Sequence, residues 1–253
     1  KCGVKEIYKT GGAHSIAALS FGTKTFKKVD KIVGPGNIYV TTAKKKLFGY
    51  VGIDMLAGPS EILIVADNKN NSDWIAADLL SQAEHDINSR STLITNDSLF
   101  AKKVLKSIDS ILKILPRSKI ASSSWKKNGN IIIVKNFSNV HKIINQLSPE
   151  HLELAIDKPD NFFEKIKNAG SVFLGRYTPE AIGDYVAGPN HVLPTGSTAR
   201  FSSGLDVMDF LKKTTFTKCN KKSLKLVSNQ AIKLAEAEGL YGHALSIYMR
   251  NKI

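Results

Sequence analysis

The first sixty residues alternate short apolar runs with glycine-rich turns and helical stretches. In chain order, this pattern predicts a strand at Glu6–Lys9, a turn at 11–12, a helix over 13–20, a strand at 31–33, a turn at 34–37 and a helix through Lys46. A strand followed by a glycine turn, a helix and a second strand is typical of βαβ units built around a parallel sheet. We therefore expect part of a parallel sheet in this region.

From residue 61 to about residue 180 the same alternation continues with more strongly apolar strands. After a loop at 53–60 that contains glycine and proline, the predicted strands lie at 61–65, 92–95, 130–134, 152–156 and 171–174. The predicted helices run from 73 to about 85, from 99 to 115, from 140 to 147 and from 161 to 168. Asn71 or Ser72 can cap the first of these helices, and Pro116 stops the second. This segment predicts a second parallel sheet.

The last part of the chain lacks this alternation. Residues 187–204 are rich in glycine, proline, serine and threonine and predict a long loop, whereas 223–249 predicts one or two helices broken near Gly239 and Gly242. The fold class is therefore α/β, with two parallel sheets and a small helical tail. The three parts are 1–60, 61–204 and 205–253.

Composition limits the class of protein. Hydrophobic residues make up 42% of the 253 residues, which is enough for a substantial core and for two or more domains. No run of eighteen apolar residues occurs, so the chain is not expected to cross or bind a membrane. The chain opens with Lys1 rather than methionine, directly into predicted structure, and its first residues are charged. We expect no signal peptide, and we expect the chain to belong to a longer protein.

The chain is basic, with 36 lysine and arginine residues against 22 aspartate and glutamate residues and a formal net charge of +14. Such a charge can mark a nucleic-acid-binding protein. The lysines occur in short scattered clusters, however, and are not interleaved with aromatic residues as in a groove for single strands. We interpret them as a solvated surface, expect no nucleic-acid partner, and note that a basic surface can attract an anionic dinucleotide.

Only two cysteines are present, Cys2 and Cys219, and they lie far apart in the sequence. Neither a disulfide framework nor a cysteine-based zinc site is expected from them. A reducing cytoplasm is the compartment that this usage favours.

One pair of polar residues has the spacing of metal ligands. Gln82 and His85 lie three residues apart near the end of a predicted helix, so their side chains leave the same face and can converge on one ion. An amide oxygen and an imidazole nitrogen suit a borderline cation such as zinc. For this pair alone, a histidine that interacts with the helix dipole is the commoner situation.

Two further pairs lie in predicted loops. Glu150 and His151 adjoin a strand and could supply a general base and a group that orients water, although for the dipeptide alone an ordinary polar loop is the favoured interpretation. Asp184 and His191 lie in a glycine- and proline-rich loop, where the backbone can fold closely around a ligand. A loop of that composition is usually only a turn.

Other candidates are weaker. Glu238 and His243 precede the final helix and could reach a site, but their spacing alone favours solvated helix ends. The turns at 11–12 and 34–37 each precede a helix, whose free N–H groups can bind phosphate oxygens of a dinucleotide. Neither turn is a G-x-G-x-x-G fingerprint, so a standard Rossmann site is not supported.

Taken together and in this order, the motifs resemble the histidinol dehydrogenase family. The phrases that carry the resemblance are GGA at 11–13, KIVGPGN at 31–37, IDMLAGPSE at 53–61, DLLSQAEH at 78–85, PEHL at 149–152, GSVFLG at 170–175, GD at 183–184, NHVLPT at 190–195, and Glu238 with His243. The likeness covers the whole chain. Chance matching of so many phrases in order is not a serious alternative.

The resemblance implies an activity and an architecture. Histidinol dehydrogenases are zinc-dependent homodimers that oxidise L-histidinol through L-histidinal to L-histidine with two NAD, the last steps of histidine biosynthesis. Two incomplete Rossmann-like domains are then expected, with 1–60 on the nucleotide side and 61–204 carrying zinc and the catalytic groups. Residues 205–253 are expected to form a helical domain that reaches the partner subunit.

The resemblance also implies roles for individual residues. The matching zinc ligands are Gln82, His85, Asp184 and His243. The matching catalytic pair is Glu150 and His151. The substrate contacts are expected to be the four zinc ligands, His151, Ser60, His191 and Glu238. Asn37 matches a nucleotide contact, and a second one falls at His14, where the family has glutamine, so the affinity for NAD is the property that this departure affects.

Three other functions stay open at this point. The chain could be the zinc-binding part of such an enzyme without turnover of its own, because the family's chain extends further at its N-terminus. It could come from a dehydrogenase of a related amino alcohol, for which His14 is the sequence support. A basic nucleic-acid-binding protein is the alternative from another class, and salt-sensitive binding would reveal it.

Overall fold

Two short parallel strands, β1 (Lys31–Ile32) and β2 (Gly52–Ile53), form a small sheet in the first part of the chain. The helices α1 (Ala13–Phe21) and α2 (Ile38–Leu47) accompany them, and a small apolar cluster around Ile16, Ile32 and Val51 holds the group together. The computed structural model describes residues 2–251. The strand predicted at Glu6–Lys9 is wrong, because no described strand runs beside that exposed segment to take up its backbone hydrogen bonds.

The second sheet has five parallel strands in the order β5-β4-β3-β6-β7. The strands are β3 (Glu61–Ala66), β4 (Arg90–Thr95), β5 (Gly129–Ile133), β6 (His151–Ala155) and β7 (Ser171–Leu174). This confirms the predicted α/β class with parallel sheets. From β3 the chain first adds β4 and β5 on one side, and it then returns to place β6 on the other side of β3. The neighbouring strands β3 and β6 therefore come from distant parts of the sequence.

Helices cover both faces of this sheet. They are α3 (Ser72–Ala83), α4 (Ser98–Ile111), α5 (Ser118–Asn128), α6 (Val140–Leu147), α7 (Pro159–Phe163) and α8 (Glu180–Tyr185). Ile62 and Ile64 of β3 pack with α3, α4 and α5, whereas Leu63 and Val65 pack with α6. Alternate residues of β3 thus enter opposite cores, which is why its sequence is apolar without interruption.

Several helix predictions need correction. The helix predicted over 99–115 ends at Ile111. The helix predicted over 161–168 is the shorter helix α7. Helix α5 was not predicted, because its serine- and lysine-rich sequence has few periodic apolar positions beyond Ala121 and Trp125. Helix α8 was not predicted, and it contains Asp184, so the loop predicted at that residue is wrong.

The chain divides into two compact units, one ending at Asp209 and one starting at Phe210. The second unit contains α9 (Lys221–Ala237) and α10 (Tyr241–Asn251), with a break at Gly239, where φ is +72°. The break predicted near Gly239 and Gly242 is confirmed, since α9 ends at Ala237 and α10 begins at Tyr241. The division at residue 60 stays a prediction. None of the helices described between residues 2 and 251 is long and apolar enough to span a membrane.

Candidate active site

A pocket of about 370 Å³ lies at the amino ends of β3 and β6. Seven of the predicted site residues line it: Ser60, Gln82, His85, Glu150, His151, Asp184 and His191. The other lining residues are Pro35, Gly36, Ala57, Gly58, Tyr185, Val192, Leu193 and Thr195. Residues from six separate sequence phrases thus share one cavity.

Parallel pairing of β3 with β6 positions the two catalytic candidates, Glu150 and His151. Ile62 of β3 is in register with His151 of β6. The backbone N–H of Glu61 donates to the Glu150 carboxylate at 2.9 Å, and the Glu61 carbonyl lies 3.1 Å from Nδ1 of His151. A carbonyl oxygen only accepts, so Nδ1 carries the hydrogen and Nε2 is the basic nitrogen. Nε2 is buried and has no hydrogen-bond partner among the described residues.

Burial keeps His151 neutral. It lowers the pKa of His151 to about 4, an effect that the nearby His85 and His191 reinforce and that the Glu61 carbonyl and Asp184 oppose. At neutral pH the ring therefore has a free lone pair. Burial also raises the pKa of Glu150 to about 8, and the neighbouring carboxyl groups of Glu61 and Glu180 add to this increase. At neutral pH His151 can therefore accept a proton from a group that enters the pocket, whereas Glu150 is mostly protonated and accepts a proton only in its carboxylate form.

Glu180 is a buried group that was not predicted. It opens α8, and one of its carboxylate oxygens lies 3.7 Å from Nε2 of His151. Burial and the neighbouring Asp184 raise the pKa of Glu180 to about 8. Its backbone N–H donates to Glu153 at 2.7 Å, which fixes the start of the helix. The spacing of four residues between Glu180 and Asp184 on one helix is the sequence signal that could have revealed it.

The buried amide of Gln82 fits a cation ligand. Gln82 lies on α3 and is only 1% exposed, yet its Oε1 receives no hydrogen bond from any described residue. An unpaired buried amide oxygen is costly, and coordination to a cation would satisfy it. His85 and Asp184 supply a nitrogen and a carboxylate to the same pocket. Oxygen and nitrogen donors of this kind suit zinc.

A second possible donor set shares one of these residues. The ligand atoms of His151, Glu180 and Asp184 all lie within 4.8 Å of one another. This set would use the nitrogen that is otherwise the base, and it would leave the Gln82 oxygen without a partner. The physical argument therefore favours Gln82, His85 and Asp184. Glu238 and His243 belong to the second compact unit, and their roles stay predictions.

The predicted nucleotide contacts lie outside the pocket lining. The Asn37 side chain caps α2, where its oxygen accepts from the N–H groups of Tyr39 and Val40. The amide group of that side chain keeps its N–H donors for other contacts. His14 is exposed and shares a hydrogen bond of 3.3 Å with Thr10. Roles of Asn37 and His14 toward NAD stay predictions.

The stability of the metal-free protein is expected to fall as the pH rises from about 6.5 to about 8. Glu150 and Glu180, whose pKa values burial raises to about 8, bind protons in the folded state that they release on unfolding in this range. The folded state therefore binds more protons, and stability declines with rising pH. The opposite shift of His151 acts only between about pH 4 and 6.5. Urea unfolding at a series of pH values measures the slope.

A matched pair of variants checks the cause of that slope. Burial raises the pKa of Glu153 well above its usual value, and glutamine at this position keeps an oxygen for the Glu180 N–H. Glu153→Gln is expected to make the decline shallower, whereas Glu164→Gln on the exposed surface should leave it unchanged. A stability curve that stays flat across this range in the wild-type protein would contradict the assignment.

Comparison with known proteins identifies relatives of the whole chain. The family model described as histidinol dehydrogenase matches residues 1–251. Histidinol dehydrogenase 1 of Trichormus variabilis is 56% identical over 248 residues, which cover 98% of this chain and 58% of that protein. The histidinol dehydrogenase of Rhodospirillum rubrum is 56% identical over 249 residues, which cover 98% of this chain and 57% of the relative.

A solved structure shows the same relationship. The crystal structure of histidinol dehydrogenase from Elizabethkingia anophelis matches with a TM-score of 0.91 at 44% identity. The match covers 99% of this chain and 58% of that one. The chain thus spans a little under three fifths of the length of the relatives it matches.

Proposed function

The chain belongs to the histidinol dehydrogenase family, and we propose that it is the C-terminal part of an enzyme that oxidises L-histidinol through L-histidinal to L-histidine with two NAD. In this proposal the enzyme is a zinc-dependent oxidoreductase of histidine biosynthesis. The observation that carries the proposal is the convergence of Gln82, His85, Asp184, Glu150 and His151 on one pocket.

Gln82, His85 and Asp184 would hold the zinc ion, with His243 from the neighbouring subunit of the proposed homodimer as the fourth protein ligand. The unpaired oxygen of Gln82 supports this assignment, since a cation removes the cost of burying it. When bound, zinc would position and polarise the amino alcohol and NAD would take up the two hydrides. The protein groups then have to accept the protons that each oxidation releases.

His151 is the proposed base for both oxidations. Its Nε2, neutral because burial lowers the pKa to about 4, would accept the proton of the substrate hydroxyl as the C–H hydride departs. Glu150 in its carboxylate form would take a proton from the water that adds to the aldehyde. Once His151 has released its first proton to solvent, its Nε2 would accept the proton of a hydroxyl of the hydrate as the second hydride leaves. The products are the carboxylic acid and two reduced dinucleotides.

The remaining contacts follow from the resemblance. Ser60 and His191 line the same pocket, which supports roles in substrate binding. Glu238 would bind a cationic group of the substrate, and Glu238 and His243 would act in the site of the neighbouring subunit of a homodimer. Asn37 and His14 are the proposed NAD contacts. Two free cysteines far apart in the chain accord with a proposed cytoplasmic location.

Two narrower alternatives belong to the same family. The first is that this chain binds zinc by itself but does not catalyse the oxidation, because it spans only about 58% of the length of its relatives. The second is a dehydrogenase of a related amino alcohol, for which His14 in place of glutamine is the only support.

NADH formation from L-histidinol tests the proposal and separates these alternatives. The full-length protein is expected to produce two NADH for each L-histidinol, to lose this activity on treatment with a chelator and to regain it with zinc. The present chain, assayed for zinc content and turnover in parallel, tells whether it is active alone. A folded, zinc-loaded full-length protein that leaves L-histidinol unchanged would exclude this substrate, and other amino alcohols would then be tested.

A further inference from the structure

A buried ion pair lies beside the pocket and has no role in the chemistry described so far. Lys44 on α2 and Asp54 in the loop after β2 form a salt bridge, and their side chains are only 4% and 1% exposed. The next two residues of α2, Lys45 and Lys46, are exposed. Burying two charges is expensive unless further hydrogen bonds compensate. The other hydrogen bonds of Lys44 and Asp54 therefore indicate which part of the structure the buried pair stabilises.

Both members of the pair hold the same glycine. Nζ of Lys44 donates to the Gly34 carbonyl at 2.9 Å, and Oδ2 of Asp54 accepts from the Gly34 N–H at 2.7 Å. The other oxygen of Asp54 accepts from Lys44 and from the Met55 N–H. Gly34 has a φ of +116°, which residues with a side chain rarely adopt. Two charged side chains thus hold the turn at the residue whose backbone has a positive φ.

The turn and the loop form neighbouring parts of the pocket wall. Pro35 and Gly36 follow Gly34 and line the cavity, as do Ala57 and Gly58 in the loop after Asp54. The hydroxyl of Thr41 on α2 donates to the Ala57 carbonyl at 3.3 Å, a second link between the same two segments. Displacement of either segment would therefore move Gly36 and the adjoining Asn37.

We infer that the Lys44–Asp54 ion pair is the positioning device that holds the 34–37 turn in the conformation that NAD binds. The inference rests on the proposed function, in which Asn37 at the end of this turn contacts the nucleotide. Neither charged group lines the pocket, so the pair acts through the turn and not on the substrate. Loss of the pair should weaken NAD binding while the zinc ligands and His151 keep their places.

Lys44→Met in the full-length enzyme tests this inference, because methionine keeps most of the length of lysine and loses the charge. The KM and the Kd for NAD are expected to rise on the order of tenfold, the effect of losing about one hydrogen bond to the nucleotide. The kcat at saturating NAD, the KM for L-histidinol and the zinc content should stay close to wild type. Lys45→Met is the matched control, with the same charge change on the exposed face.

A second variant covers the case in which Lys44→Met does not fold. Asp54→Asn keeps an oxygen that can accept from the Gly34 N–H but removes the charge that pairs with Lys44, and it is expected to raise the Kd for NAD by a smaller factor. A folded variant whose Kd for NAD equals that of the wild type would overturn the inference, and so would equal changes in the constants for both substrates. Calorimetric titration with NAD measures this Kd without any turnover. If the wild-type enzyme binds NAD but does not oxidise L-histidinol, that result counts against the proposed function and not against this inference.

Discussion

Replacing His151 by asparagine is expected to lower the turnover of L-histidinol by the full-length enzyme by ~10²- to 10⁴-fold, the contribution of a well-placed general base. The asparagine amide can still donate to the Glu61 carbonyl, as Nδ1 of His151 does now. It has no basic nitrogen, however, with which to accept the hydroxyl proton. NADH formation under saturating L-histidinol and NAD, with zinc measured on the same sample, gives the result.

A histidine away from the pocket is the control for this variant. His141 on α6 packs edge-on against Phe162 and does not line the pocket, so His141→Asn should keep its kcat. The His151→Asn protein should also bind zinc as the wild type does, because His151 is not one of the preferred ligands. Retention of more than about a tenth of the wild-type kcat would mean that another group is the base.

Gln82→Leu is expected to have opposite effects on zinc binding and on the stability of the zinc-free protein. Zinc affinity should drop by at least ~10- to 100-fold, the loss already seen when partners outside the ligand set are removed. The zinc-free protein should be unchanged or more stable, by up to ~1–3 kcal/mol, since the unpaired amide oxygen is gone. Competition with a chromophoric chelator measures the first effect, and urea unfolding measures the second.

The same experiment decides between the two possible donor sets. Glu84→Gln changes a neighbour on the same turn whose side chain is not in the pocket, and it should leave both quantities as they are. If Gln82→Leu binds zinc normally while Glu180→Gln does not, the ion belongs to the set of His151, Glu180 and Asp184. The base would then have to be found elsewhere, because zinc would occupy the His151 nitrogen.

The strands of the larger sheet could be located from the sequence alone. The runs predicted at 61–65 and 171–174 match β3 and β7 to within one residue. The cap expected at Asn71 is also present, since its side chain accepts from the Asp73 N–H. These features depend on residues close together in the chain, namely unbroken apolar runs and a side chain that bonds its own helix.

Elements with weak local signals were missed or misplaced. The sequence at Glu6–Lys9 has the composition of a strand, but a strand also needs a neighbour with which to pair, and the described chain provides none. Helix α5 is stabilised by the packing of Ala121 and Trp125 in the core beside the sheet. Its own sequence favours a helix only weakly.

The sequence by itself determined the fold class, the strands of the larger sheet and the family, together with a set of polar residues of which seven line one pocket. Only the tertiary structure decided the environment of those residues. Pairing of β3 with β6 buries His151 and fixes its Nδ1 hydrogen on the Glu61 carbonyl, and the start of α8 sets Glu180 opposite Nε2. Periodicity and capping are local properties of a chain, whereas burial and charge around His151 depend on residues up to ninety positions away that meet it only after folding.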